Sequence, residues 1–220
     1  VPIPENKWSI GEEELTNPGT TIPGPAEPSD LPGEWVQFRG AYQRNIVHDS
    51  GPVAEKFPEG GPRVLWEREA GEGHAGAAIK NGCVYMMDYD MEKEEDVILC
   101  LNLETGEEIW RYTYSVKIKR NHGISRTVPA VTDDYVVTIG PFANTVCLDA
   151  KTGELVWELD MRKEYGTVVP PWYVGQCPII EDGKVILAVC GNYDNLEDPP
   201  PGEPPLMMAK DLATGQIIWE

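Results

Sequence analysis

The chain is 220 residues long and 41% hydrophobic, enough for one sizeable core and inconsistent with disorder throughout. With 37 acidic against 18 basic residues its formal charge is −19, which excludes nucleic acid and anionic lipid as preferred ligands, since both select basic surfaces; acidity on this scale mainly supplies solubility. No apolar run approaches the roughly 20 residues of a membrane helix.

Residues 1–34 stand apart. The stretch NPGTTIPGPAEPSDLPGEW is dense in Pro, Gly, Thr and acid without apolar periodicity, and it reads as a Pro/Gly-rich acidic linker or arm: a solvated tether, with Trp8 and Ile10 as points where it could dock. The opening VPIPENKW has neither an initiating Met nor a basic and apolar leader, as expected of a chain that has been processed or cut from a longer one.

From Trp35 onward the sequence becomes a series of short apolar runs separated by Gly, Asn and Asp, and the runs recur in fixed order. AGAAIKNG, RTVPAVTDD and GQCPIIEDG each read as a first strand ending in a polar turn; CVYMMDYD, YVVTIGPF and KVILAVCG follow as second strands. DVILCLNL, NTVCLDA and LMMAKDL are third strands, and EEIWRYTY, ELVWELD and QIIWE are fourth strands. β-branched and aromatic residues fill these runs, so each unit is expected to be a four-stranded antiparallel meander, over about 75–115, 126–160 and 176–220.

A motif closes every unit. LNLETGEEIW, LDAKTGELVW and KDLATGQIIW align on Thr105-Gly106, Thr152-Gly153 and Thr214-Gly215, with Asn102, Asp149 or Asp211 three residues before the Thr and Trp110, Trp157 or Trp219 four after the Gly. Thr-Gly suits a tight hairpin in which Gly takes a positive φ and the Asn or Asp bonds the turn backbone, while the Trp reaches equivalent positions for burial against a neighbouring unit. Counting Trp66, which marks a lone N-terminal strand, the Trp spacings are 44, 47 and 62; the first two match a repeat of roughly 40–50 residues. The longer third spacing comes from the connection MRKEYGTVVPPWYVGQ and the insertion NYDNLEDPPPGEPP, both expected to be loops.

Five cysteines, at 83, 100, 147, 177 and 190, form neither a CxxC nor a haem-attachment pattern and lack zinc-ligand spacing. Cys100 and Cys147 share one repeat position, where the third unit has Ala209, so they are expected to be small, buried, reduced strand residues rather than a disulfide.

The threefold motif small-x-Asp-x-x-Thr-Gly-x-x-x-Trp resembles the tryptophan-docking motif of the quinoprotein (PQQ) alcohol dehydrogenase-like β-propeller superfamily, and EWVQFRG followed by GGPRVLWEREAGEG is similar to the start of bacterial PQQ-like repeat proteins. The resemblance covers residues 35–220. It implies an all-β fold, a β-propeller of four-stranded antiparallel blades, incomplete here because three full blades fall short of the roughly 4 to 8 that close a ring. That shortfall points to a fragment, a split protein completed by another chain, or a self-assembling array, in which remaining blades, another chain or copies of the same chain cover the open ends.

Loops between blades, and those between second and third strands, share one face of a propeller around the channel mouth. The resemblance therefore gathers His74, the basic loop 117–126, the loop 168–176 and the acidic proline-rich insertion there. Lys117, Lys119, Arg120 and Arg126 surround His122, reversing the local charge of an acidic chain. His74, Lys119, His122, Arg126, Trp172 and Tyr173 are the candidate ligand-binding residues, for an anion or a sugar, with stacking on the two aromatics. Each has a plainer reading: a solvated basic loop or one paired to a neighbouring blade, His in ordinary turns, aromatics covering the channel or an interface. The acidic DNLED lacks EF-hand spacing, so no metal site is assigned.

Quinoprotein catalysis, as the resemblance implies it, uses calcium-bound PQQ, a carboxylate base and in many members a vicinal Cys pair. This sequence has no adjacent cysteines, and no Asp or Glu matches the base by motif, so no catalytic residue is carried over. The favoured expectation is a non-enzymatic, extracytoplasmic (periplasmic or secreted) binding or assembly scaffold, tethered through its N-terminal arm. The alternatives are part of a PQQ- and calcium-dependent alcohol or sugar dehydrogenase, and a ligand-sensing domain of a larger receptor.

Overall fold

The computed structural model describes residues 16–47, 54–118 and 123–220. Three antiparallel sheets follow one another along the chain. The first contains β1 (Thr16–Pro23), β2 (Ala78–Lys80), β3 (Cys83–Asp90), β4 (Glu95–Asn102) and β5 (Glu108–Ser115), in the order β1-β5-β4-β3-β2. The second is the meander β6 (Ala130–Val131), β7 (Tyr135–Ile139), β8 (Asn144–Asp149), β9 (Leu155–Asp160). After a one-turn helix α1 (Met161–Tyr165), the third runs β10 (Ile179–Glu181), β11 (Lys184–Leu187), β12 (Met208–Asp211), β13 (Ile217–Trp219). The chain is an all-β propeller segment with three full blades.

Local chemistry explains the turns. Asn81-Gly82 and Asp182-Gly183 link the first and second strands of blades one and three with positive φ at both residues, the type I′ geometry that matches strand twist. In the Thr-Gly hairpins, the side-chain oxygens of Asn102, Asp149 and Asp211 accept the amides of Thr105, Thr152 and Thr214 at 2.8–2.9 Å.

Blades stack through their tryptophans. Trp66 Nε1 donates to the Leu103 carbonyl, Trp110 to Ala150 and Trp157 to Leu212, at 3.0, 3.1 and 2.8 Å; each acceptor directly follows the Asn or Asp of the next motif. The indoles lie over Gly106, Gly153 and Gly215, where a Cβ would come within 2.5–2.7 Å of the ring. Beside each Trp on the neighbouring strand stands a small residue: Cys100 pairs with Trp110, Cys147 with Trp157 and Ala209 with Trp219. This packing accounts for the cysteine equivalence, and neither thiol is in a disulfide. The core lies between blades: Tyr85, Trp110 and Tyr112 meet Val136, Val146 and Leu148, and Leu159 and Met161 meet Val185, Leu187 and Met208.

Two segments differ from expectation. Within the stretch taken as a solvated arm, residues 16–23 form β1 on the outer edge of blade one, where β5 offers unpaired backbone groups and the β-branched Thr20, Thr21 and Ile22 fit an extended edge. The arm then crosses the blade: the Glu27 carbonyl accepts from Asn102 Nδ2 at 2.7 Å, and Ser29 N donates to Gly82 at 3.1 Å. It ends on the inner strands. Trp35 exchanges both backbone bonds with Ile79 at 2.8 and 2.9 Å, Val36 accepts from Val131 N at 2.8 Å, and Gln37 Oε1 accepts from Ile180 N at 3.1 Å. Trp66, by contrast, docks but forms no strand; among the described residues nothing pairs with its backbone, and Val64 and Leu65 are exposed. Trp8 and Ile10 lie outside the described residues.

Candidate functional site

The segments leading into the innermost strands, 74–76, 126–128 and 175–179, line one cleft of about 430 Å³, and the arm closes it with Phe38 and Gln43. The cleft therefore draws on all three blades and on the segment that runs over their inner edges. That segment is conformationally costly: Arg39, Tyr42, Gln43 and Asn45 all have φ between 55 and 67°. Left-handed non-Gly residues persist only where surrounding contacts hold them, and they cluster at binding and catalytic sites.

His74 is fixed by its backbone amide on the Ser125 carbonyl at 2.8 Å and by Nδ1 donating to the Glu72 carbonyl at 3.0 Å. Asp88 shapes this approach by accepting from Gly71 N and Gly73 N, both at 2.8 Å. Arg126 donates from Nη1 to the Trp172 carbonyl at 2.7 Å. Cys177 Sγ accepts from Val128 N at 3.3 Å, and burial pushes its thiol pKa up. Gln176 is spent on the Ala188 backbone, donating to its carbonyl at 2.6 Å and accepting from its amide at 3.0 Å.

Of the residues nominated from sequence, His74 and Arg126 meet in the cleft. Trp172 stands at its edge, half exposed, and orients Arg126 through its carbonyl. Tyr173 is a core residue instead: it is buried and packs edge-on against Phe142, centroids 5.6 Å apart, because Val174 N bonds the Pro141 carbonyl and draws the loop inward. Lys119 and His122 lie outside the described residues. Phe38, Gln43 and Cys177 carry no signal of a site in the sequence, and nothing in the composition of QFRG indicates that it crosses three blades.

A second polar centre lies behind the cleft, between blades one and two. Asp96, fully buried, accepts from Tyr114 Oη at 2.6 Å and from Ser125 Oγ. Burial drives its carboxyl up to about 7, against the two hydrogen bonds and with help from Asp88. Gly140 leaves room for the pair, since a Cβ there would strike Tyr114 Oη. The pair belongs to the blade interface.

Calcium-bound PQQ, implied by the resemblance, needs hard oxygen donors for its metal. No Asp or Glu lines the cleft, and among the described residues no group of three or more His, Cys, Asp or Glu side chains converges. The residues present do not fit that cofactor.

Comparison with known proteins places the chain. Solved structures similar to it include a quinohemoprotein alcohol dehydrogenase from Comamonas testosteroni (20% identity, TM-score 0.45, 68% of this chain and 21% of that one). BamB from Moraxella catarrhalis is another (18%, 0.38, 65% and 34%), as is the quinohemoprotein alcohol dehydrogenase ADHIIG from Pseudomonas putida HK5 (16%, 0.45, 69% and 21%). The chain thus spans about a fifth of the two dehydrogenases and a third of that BamB. Among curated proteins none matches. The family profile described as outer membrane protein assembly factor BamB matches residues 93–220, more than half of the sequence, and the chain belongs to that family of PQQ-like β-propellers.

Proposed function

We propose that this protein is a non-enzymatic PQQ-like propeller acting outside the cytoplasm as a binding or assembly scaffold. The observation that carries the reading is the path of the arm. Residues 35–37 use the backbone of all three inner strands, at Ile79, Val131 and Ile180, as a docking rail for the chain's own segment. In a propeller those edges face the channel, so the arm lies along the channel wall of these blades and narrows the room there for a cofactor. Binding is left to the channel mouth and the outer faces. The donor set of the cleft, without a carboxylate for calcium, supports the same reading. The family description supports assembly at the outer membrane as the setting.

Further blades, from this protein or a partner, would cover the open ends. Trp66 already occupies the Leu103 and Gly106 seat without companion strands, while Trp219 is 44% exposed against 1% for the equivalent Trp110. The test is reconstitution of the intact gene product with PQQ and calcium, followed by dye-linked oxidation of alcohols and sugars. No turnover above cofactor alone is expected, and turnover that depends on the protein would overturn the reading. Fractionation of the source cells should place the product outside the cytoplasm.

A further inference from the structure

The cleft has a cation and no acidic side chain in its lining, in an otherwise acidic protein. The chain carries 37 Asp and Glu, yet none lines this cleft or the adjoining groove walled by Trp35, Phe38 and Arg39. Several cations elsewhere are paired with a carboxylate: Arg68 and Arg111 meet Glu108, Lys80 meets Glu34 and Asp133, Lys151 meets Asp134 and Lys163 meets Asp160. Arg126 is held without one. It donates to a neutral carbonyl, of Trp172, which fixes the guanidinium, and no carboxylate among the described residues pairs with it. Gln43 reaches the same cleft on strained backbone. Phe38, more than half exposed, together with Val128 and Ile179 gives the cleft an apolar wall.

Resting on the reading of the channel mouth as a binding face, we propose that this cleft is a binding site for a carboxylate joined to an apolar or aromatic body, with Arg126 as the counter-charge, Gln43 as a neighbouring donor and Phe38 as the apolar contact. A single anchored guanidinium suits a monoanion in planar, two-bond geometry. A phosphate dianion would meet only one cation within a chain of net charge −19. At about 430 Å³ the cleft accepts a group of phenylpropionate size. The carboxylate could belong to a free small acid or to the C-terminus of a peptide.

The experiment titrates the full 220-residue chain, by calorimetry and by ligand-observed NMR, with 3-phenylpropionate, 3-phenylpropanamide, and a tetrapeptide ending in Phe with a free or an amidated terminus. The acid is expected to bind with a dissociation constant of about 1 mM or tighter, given its few heavy atoms, and the amide at least ~10-fold more weakly. Binding of the free-terminus peptide alongside the acid assigns the natural carboxylate to a chain end; binding of the acid alone assigns it to a small molecule. Arg126→Gln should weaken the acid at least ~10-fold, Arg126→Lys should recover part of the loss, and Gln43→Leu should weaken it by a smaller factor. Equal affinity for acid and amide, no acid binding at millimolar concentration, or indifference to both substitutions overturns the proposal. If Arg126→Gln does not fold, the acid-to-amide ratio on the unaltered chain decides alone. Failure here leaves the scaffold reading standing, because that rests on the path of the arm and is tested separately, by cofactor-dependent turnover.

Discussion

Trp110 lies across Gly153, with the nearest ring carbon 2.6 Å from where a Cβ would stand and with its indole N–H on the Ala150 carbonyl at 3.1 Å. One glycine therefore serves both the turn, at φ 72°, and the seat of the neighbouring blade's tryptophan. Gly183 separates the two roles, since it has nearly the same φ, 70°, and nothing within 4 Å. Gly183→Ala should cost the backbone strain alone, about 1–2 kcal/mol. Gly153→Ala should cost at least ~1 kcal/mol more, because the indole must leave its hydrogen bond. Urea midpoints of the two variants measure the difference; equal losses would mean that docking contributes nothing to stability.

The contact between Gln37 and Ile180, 143 residues apart, should hold the arm against blade three. Gln37 is buried, and its carbonyl is the acceptor for the Ile180 amide. Gln37→Leu leaves that amide without a partner and should cost about 1–3 kcal/mol. In hydrogen exchange the Ile180 amide should lose protection, while Cys147, in the centre of blade two, keeps it. Unchanged exchange at Ile180 would show that the arm does not brace the third blade.

Asp96 gives the blade interface a pH dependence of unusual sign. Its carboxyl titrates near 7 in the folded protein against an ordinary value of 3.8, so between these limits the folded state binds more protons than the unfolded one. Its contribution is fully present below about pH 4, is lost as pH rises through about 7, and is constant above that. Asp96→Asn keeps the shape and removes the titration. Relative to this variant the wild type should lose up to ~4 kcal/mol between pH 4 and pH 8. Glu158 and Glu164 are also raised by burial, so the difference between the two proteins is the quantity to measure. A difference independent of pH would show that Asp96 is not the titrating group.

The blades were legible because their signals are local. Asn81-Gly82, Asp182-Gly183 and the Thr-Gly hairpins specify turns within a few residues, and the small residue opposite each Trp is a pairing that a repeat alignment exposes directly. What escaped depends on distant parts of the chain. Thr20, Thr21 and Ile22 have strand propensity, yet Pro18 and Pro23 beside them suggest a linker; the edge they join, β5, lies about 90 residues away in sequence. Trp35, Val36 and Gln37 carry no mark of pairing with strands at 79, 131 and 180. The cleft was half legible for the same reason. Arg126 and His74 stand out as basic residues in an acidic chain, whereas Phe38 and Gln43 become site residues only through the fold. Tyr173 was misplaced because an aromatic beside Trp172 gives no indication of which ring turns inward.

The last prediction concerns the open face of blade three. Ile217 and Trp219, which share one face of β13, are 47 and 44% exposed. In blade two the residue equivalent to Trp219 is Trp157, which is 9% exposed because the next blade supplies the Leu212 carbonyl and Gly215. The exposed set is thus a docking surface whose seat is not filled among the described residues. Large apolar side chains left exposed where the other blades bury theirs mark an interface. A non-closing contact between one copy's Trp219 face and another's blade one would propagate head to tail, with Trp219 and the lone Trp66, which has no companion strands among the described residues, in competition for the Leu103 seat. The 220-residue chain should therefore sediment as associated species at micromolar concentration. Ile217→Lys combined with Trp219→Arg should shift it to monomer, and Trp66→Ala, which empties the opposing seat, should lengthen the assemblies. A monodisperse, cooperatively unfolding monomer before any substitution would show that this face is tolerated in water and needs no cover.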